Sequence, residues 1–295
     1  MSHPPTIDAS GTTRLIDGKA LAAAVRADVS ARVATLRAHG RQVRLDAVLA
    51  GGDRAAELYA ESQARTCEAV GIGYRLHRLP ANASYEDVAG RVLLLGSDDS
   101  VEAIMLHLPL PAGIDTERVQ SLIPPEKDVE GVNPANIGNV VYGRRSLVPC
   151  TARAVLEMIE STGIELRGKR CLVVGASNIV GKPIAVLLMR EEATVVSTNK
   201  FTADLPGLAR EADVLVAAAG VPHLVKRDWV KPGAVVIDVG IHRLDGPDGA
   251  RTVGDVDFDA VREVAAHLSP VPGGVGPMTV AMLLRNCVDA AERGG

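Results

Sequence analysis

Aromatic side chains are nearly missing from this chain: Trp, Tyr and Phe together make up 2% of its 295 residues, although hydrophobic residues reach 47%. The core must therefore be filled by Val, Leu, Ile and Ala. An excess of charge is missing too. The formal net charge is −4, and no basic stripe stands out, which argues against a nucleic-acid footprint. No apolar run approaches the length needed to span a bilayer. The opening stretch MSHPPTIDASGTTRL is polar and lacks the apolar segment of a signal peptide, so a loose leader on a cytoplasmic protein is expected. Four cysteines, Cys67, Cys150, Cys171 and Cys287, lie far apart in apolar contexts with no metal or redox spacing. They read as buried free thiols in a reducing compartment. His3, His39, His77, His223, His242 and His267 form no metal spacing either, so no metal is expected and surface or turn positions account for them.

What the chain does have is concentrated in LVVGASNIVGKP (172–183). An apolar run, Cys171–Val174, ends in Gly175; Gly181 follows, and then an amphipathic run from Ile184 to Arg190. This is strand, tight turn and helix, with amides at the helix start forming an anion site. Pro183 suits the first helical turn. Ser177 stands where the common Gly-x-Gly-x-x-Gly loop has its second glycine, and its hydroxyl can donate to a phosphate. The loop reads as a dinucleotide phosphate loop of unusual spelling.

Around it the chain alternates. Helices are predicted over 18–38, with Leu21, Val25, Val29, Val33 and Leu36 on one face, and over 54–70 and 85–95. Strands are predicted over 45–50, 73–77 and 103–108, the last running into Pro109-Leu110-Pro111. Residues 124–149 read as loop with short helical pieces, and 151–161 as a bridging helix with Thr151 as N-cap. A second series has strands over 171–174, 194–197, 214–217 and 235–239, with a helix including 261–266 and a last helix over 278–291. The fold class is α/β: two domains, the second a doubly wound Rossmann-type layer, with ligands in a cleft between them.

An NAD-specific loop of this kind places a carboxylate about 20 residues on, against the ribose 2′-hydroxyl. Here that stretch reads Val195-Val196-Ser197-Thr198-Asn199-Lys200, with no acid. Hydroxyls, an amide and a lysine suit a 2′-phosphate, so NADP is favoured. A solvated surface lysine would account for Lys200 equally well.

Three further strings, LPLPAGI (108–114), EKDVEGVNPANIG (126–138) and PVPGGVGPMTVAML (270–283), join GASNIVGKP and VIDVGI (236–241). Together they resemble the bifunctional methylenetetrahydrofolate dehydrogenase/methenyltetrahydrofolate cyclohydrolase family from about Ile16 to the final helix. The resemblance implies a folate domain over 1–150 plus 278–295, an NADP domain over 151–277, and a homodimer. It implies cofactor contacts at Gly175, Ala176, Ser177, Ile179, Lys200, Gly220 and Ile241. Folate contacts are implied at Tyr59, Leu108, Pro109, Glu130, Pro272, Gly273 and Gly274. A hydride would pass from the folate methylene bridge to NADP, and water would then open the methenyl cation to formyltetrahydrofolate.

Three positions depart from the family pattern. The family pairs a tyrosine with a lysine four residues later, which puts both on one helical face. Here Tyr59 is followed by Gln63, whose amide can hydrogen-bond but cannot carry charge or a proton. Arg65 lies two residues further on and faces away. The family's glutamine before Leu-Pro-Leu-Pro is His107, either an acid–base group near neutral pH or a hydrogen-bonding replacement. The family's pterin-binding aspartate is Glu130, one methylene longer. Neighbouring Asp128 reads as loop-structuring. All three replacements are polar, which suggests a retuned pocket.

The catalytic set is thus Tyr59, Gln63, His107 and Glu130. Positioning supplies much of hydride transfer, whereas hydrolysis needs activated water and moved protons. The expectation is an NADP-dependent dehydrogenase with weak or absent cyclohydrolase activity. The alternatives are a paralogue acting on another folate-linked one-carbon substrate, a full bifunctional enzyme in which His107 compensates, and a non-catalytic binder.

Overall fold

The computed structural model describes residues 13–144, 146–245 and 249–293. The chain folds as two α/β units. One contains Ala23–Cys150 and residues 281–293; the other contains residues 13–22 and Thr151–Val280. In chain order the first elements are β1 (Arg14–Leu15), α1 (Gly18–Ala38), β2 (Arg44–Ala50), α2 (Arg54–Ala69), β3 (Gly73–Leu79), α3 (Tyr85–Gly96) and β4 (Ala103–Leu106). Then come α4 (Thr116–Gln120), α5 (Pro134–Tyr142), α6 (Cys150–Glu160), β5 (Arg170–Val174), α7 (Gly181–Arg190) and β6 (Thr194–Thr198). The chain continues through α8 (Leu205–Arg210), β7 (Val214–Ala217), β8 (Val235–Asp238), β9 (His242–Leu244) and β10 (Arg251–Val253), and ends with α9 (Phe258–Val261), β11 (His267–Leu268) and α10 (Val275–Arg293).

In the unit holding α2, three parallel strands run in the order β3-β2-β4. Central β2 is apolar apart from Arg44 at its start and Asp46, as befits a strand covered on both faces. That carboxylate is fully buried and accepts from Arg44 Nε at 2.6 Å, with His77 Nε2 at 2.8 Å. His77 is therefore a half-buried partner of a core carboxylate, not the plain surface or turn residue expected. Local caps start the helices. Asp53 accepts from the Ala56 amide at 2.7 Å, and Ser84 and Asp87 form a reciprocal capping box on α3. Val48, Val88, Val92, Ile104, Leu106 and Ile123 pack together in an aliphatic core. The helix α1 buries Val25, Val29 and Val33 as its periodicity requires.

The second unit has a six-stranded sheet in the order β1-β11-β8-β7-β5-β6, parallel throughout. Its core is again aliphatic, with Leu172, Leu215, Val236 and Leu268 buried together. The largest fully buried side chains among the described residues are Leu, Ile and Met, as the scarcity of aromatics requires.

Several expectations need correcting. Residues 1–12 of the expected leader, with His3, lie outside the described residues. Arg14–Leu15, however, pair in parallel with His267–Leu268, so residues 13–22 group with the six-stranded unit and not with the first domain. The helix predicted over 261–266 ends at Val261; a tight turn follows, and His267–Leu268 are captured as a strand between β1 and β8. Thr151 is inside α6, not its N-cap, since the helix begins at Cys150. The antiparallel hairpin of β9 and β10 carries no strong alternation and was not anticipated.

Within the α2 unit, Asn286 of α10 ties the returning helix to the 129–148 segment. Its amide donates to the carbonyls of Val129 at 2.8 Å and Val148 at 3.0 Å. Asn286→Ala would leave both carbonyls short of a donor, and a loss of about 2 kcal/mol in urea denaturation is expected. An unchanged midpoint would show that this tie contributes nothing.

Candidate active site

Tyr59 and Gln63 lie one turn apart on α2, as their spacing requires. Gln63 is 3% exposed, yet neither its amide nitrogen nor its oxygen has a partner among the described residues. A buried amide without partners carries a desolvation penalty, so this one is poised for a ligand's donor and acceptor. His107 follows β4, its amide donating to the Val48 carbonyl at 2.8 Å. Its ring meets Tyr59 edge-on, centroids 5.8 Å apart and planes at 81°. Its Nε2 lies 2.9 Å from the Tyr74 hydroxyl on β3. Burial pushes the His107 pKa down to about 4, which keeps the ring neutral near pH 7.

Glu130 reaches the same strand end and accepts from the Leu106 amide at 3.3 Å. Burial, and then the Asp128 carboxylate, push its pKa up to about 7. Burial and Glu130 in turn raise the Tyr59 phenol. Asp128 does structure the loop. Its Oδ2 accepts from the Asn133 amide at 2.7 Å and from Asn136 Nδ2 at 3.0 Å. The four positions chosen as catalytic thus gather on α2, at the end of β4 and on the loop beyond. Leu108 and Pro109 continue from His107, with Leu108 exposed and the bond between them cis. Nearby Cys150 is buried and donates to the Val129 carbonyl at 3.2 Å; burial and Glu130 push its thiol far up, so it is inert.

The second set of predicted residues belongs to the six-stranded unit. Gly175 has φ +109°, and a Cβ there would stand 2.1 Å from the Ala218 carbonyl oxygen; one on Gly181 would stand 1.9 Å from the Gly175 carbonyl oxygen. Neither position admits a side chain, so the turn from β5 into α7 is pinned by close backbone approach. Ser177 is bound into this turn: its Oγ accepts from the Gly181 amide at 3.3 Å, while its own hydrogen remains to donate. Ile179 beside it is exposed, and Ala176 is half-buried. At the end of β6 there is no carboxylate. Lys200 lies over the exposed Phe201 ring at 5.0 Å. Thr198 is not available to a ligand, because its hydroxyl is buried and donates to the Val173 carbonyl at 3.1 Å.

Gly220 is held by a residue that sequence reasoning missed. Fully buried Asp255 accepts from the amides of Ala219 at 2.6 Å and Gly220 at 2.9 Å, with His242 Nε2 at 2.7 Å from its other oxygen. His242 therefore has a structural partner where only a surface or turn position was expected. Asp238 in turn accepts from the amides of Gly240, Asp255 and Val256, and burial pushes its pKa up to about 6. Asp238 also lines, with exposed Ile241 and the Pro270–Pro277 segment, a cavity of about 130 Å³ that includes the predicted Pro272, Gly273 and Gly274. The signal for Asp238 was present within VIDVGI; for Asp255 and Tyr74 it was not. Among the described residues no group of three His, Cys, Asp or Glu side chains is placed to hold a metal ion. No described helix is long and apolar enough to cross a membrane.

Two family models match. The tetrahydrofolate dehydrogenase/cyclohydrolase catalytic domain matches residues 16–130, and the NAD(P)-binding domain of the same family matches 149–294. The bifunctional protein FolD of Cupriavidus metallidurans is 48% identical over 282 residues, covering 96% of this chain and 98% of that one. Its counterpart from Geobacillus thermodenitrificans is 45% identical with the same coverage. Among solved structures, the FolD methylenetetrahydrofolate dehydrogenase/cyclohydrolase of Campylobacter jejuni superposes with a TM-score of 0.92 at 39% identity, covering 95% of this chain and 99% of that one. The enzyme of Trypanosoma brucei, solved with NADP cofactor and an inhibitor, gives 0.89 at 39% identity over 96% and 98%.

The raised Glu130 pKa has a consequence for stability. The folded protein holds this proton up to about pH 7, whereas an unfolded glutamate releases it near 4.5. Between those values the folded state binds more protons than the unfolded one, so stability falls as pH rises. Glu130→Gln should remove about 3 kcal/mol of that decline. Urea denaturation of both proteins at pH 4.5 and pH 8 measures it; parallel pH dependences would refute the assignment.

Proposed function

The chain belongs to the tetrahydrofolate dehydrogenase/cyclohydrolase family, and on that premise we propose that it both oxidises methylenetetrahydrofolate with NADP and hydrolyses the methenyl product. The pinned turn of Gly175 and Gly181 carries the redox half, since its side-chain-free backbone suits a pyrophosphate. The groups around it fit NADP: no acid stands at the end of β6, Ser177 keeps a hydrogen to donate, and Lys200 offers its charge to a 2′-phosphate. When bound, NADP supplies the hydride acceptor. The chain's own part is to hold the folate.

In that reading Glu130, when ionised, accepts from the amide and amino edge of the pterin. Gln63 satisfies its orphaned amide on the ligand, and Tyr59 borders the pocket. His107, neutral at pH 7, takes a proton from the attacking water. The sequence alone suggested weak or absent hydrolysis because Gln63 replaces lysine. The bifunctional naming of relatives 45% and 48% identical over 96% of the chain supports the compensated alternative better. A homodimer in the cytoplasm belongs to the same reading, and size-exclusion chromatography tests the dimer.

Supplied with methylenetetrahydrofolate and NADP, the protein should form NADPH and formyltetrahydrofolate without a standing pool of the methenyl cation. Accumulation of methenyl product equal to NADPH would return the chain to a dehydrogenase alone. Lys200→Ala should raise KM for NADP about tenfold, as expected for a lost charge-assisted contact, and leave KM for NAD within about twofold. Equal effects on both cofactors would remove Lys200 from the 2′-phosphate site.

A further inference from the structure

The geometry points to Tyr74 as the residue that positions His107 for proton transfer, holding the ring with its proton on Nε2 so that the Nδ1 lone pair serves the reacting centre. This rests on the folate reading of the pocket and goes beyond it, since no string shared with the family contains Tyr74. Three observations carry it. The Tyr74 hydroxyl lies 2.9 Å from His107 Nε2. The imidazole is 2% exposed, so the surrounding packing and the Tyr74 hydroxyl, not bulk water, set its orientation. Tyr59 meets the same ring edge-on from α2. Phenol and phenol thus restrain the ring from two different elements, β3 and α2, and only one nitrogen is engaged. Nδ1 is what remains for a ligand.

Electrostatics selects the tautomer. The methenyl substrate is a cation, and a ring N–H directed at it is repelled whereas a lone pair is attracted. Nε2–H must then donate to the phenolic oxygen of Tyr74. Burial raises the Tyr74 phenol and keeps it a neutral hydroxyl, while the ring stays unprotonated; the two can share this bond without a net charge. The proton sequence closes. Water's oxygen bonds to the methenyl carbon as one of its protons passes to Nδ1. The bond from that carbon to the ring nitrogen of the folate breaks, its electron pair stays on nitrogen, and that nitrogen takes up a proton from the imidazolium. The hydroxyl proton of the adduct leaves to solvent as the formyl group forms, and one proton is released overall. No oxidant or metal is required. Gln63 can accept or donate a hydrogen bond to the folate throughout, but cannot move a proton.

Tyr74→Phe keeps the ring and removes only the hydroxyl. Hydrolysis of added methenyltetrahydrofolate should lose about tenfold in kcat, with KM within about twofold, because positioning acts on the reacting state and not on binding. In a His107→Gln background the same change should have no further effect. Nitrogen-15 NMR of histidine-labelled protein, with the His107 signals identified by their loss in His107→Gln, should show the Nε2-protonated form and a shift towards mixed tautomers in Tyr74→Phe. An equal loss in both backgrounds, or His107 nitrogen shifts unmoved by Tyr74→Phe, would overturn the proposal and leave Tyr74 as packing. If the unaltered protein makes NADPH but no formyl product, the bifunctional reading fails by itself, and the NMR comparison still decides whether Tyr74 positions the ring.

Discussion

The side-chain cluster on the α2 unit is governed by one constraint: its polar groups are shielded from water, and no described cation is among the main influences on Glu130, His107, Tyr59 or Cys150. The charged group acting on Glu130 is another carboxylate, Asp128, and desolvation is the largest influence on Glu130, His107, Tyr59 and Cys150 alike. Desolvation favours the neutral form of each, so the carboxyl is raised, the imidazole lowered, and the phenol and thiol raised. Glutamine at residue 63 on α2 brings no charge that could counter this. With glutamine there, the neutral state of the whole cluster follows. In the proposed reading, that neutrality would let a cationic folate enter against a carboxyl able to ionise near pH 7 and a ring able to accept a proton.

The turn proposed to hold NADP depends on a different principle, the exclusion of side chains from a crossing of backbones. Gly175 and Gly181 leave room for carbonyls that approach within the space of a Cβ, and the turn has a single shape in consequence. Asp255 then fixes the opposing segment by taking the amides of Ala219 and Gly220, while Asp238 fixes Asp255 through its amide. Two buried carboxylates are kept in place mainly by backbone donors, with the His242 ring on the second oxygen of Asp255, an arrangement that satisfies buried oxygens by hydrogen bonding. The cost of burying them is offset because each oxygen meets N–H groups. The rigid edge so formed includes Gly220 and the start of the Ile241 segment.

Much of the architecture could be read from patterning. The helix over 18–38, the strands over 214–217 and 171–174, and the spacing that places Tyr59 and Gln63 on one face all follow from local periodicity, which needs no knowledge of partners. Failures occurred where pairing overrode local preference. The helix expected over 261–266 stops at Val261, and the slot between β1 and β8 recruits His267–Leu268 just beyond it as strand. Arg14–Leu15 looked like leader because their partner lies some 250 residues away, and no local signal reports it.

The sequence by itself determined the positions that admit no side chain, the Pro-Gly strings, and the chemical identities at residues 63, 107 and 130. Those are local facts: sterics at a turn and the donor set of a side chain are carried by the residue itself. Only the tertiary structure decided that His107 is neutral and bonded to Tyr74, that Glu130 holds its proton to near neutrality, and that Asp255 organises the loop at Gly220. Each of these depends on which distant segments exclude water from a group and which donors they bring. Desolvation and partner choice are properties of the packed chain, not of any window along it.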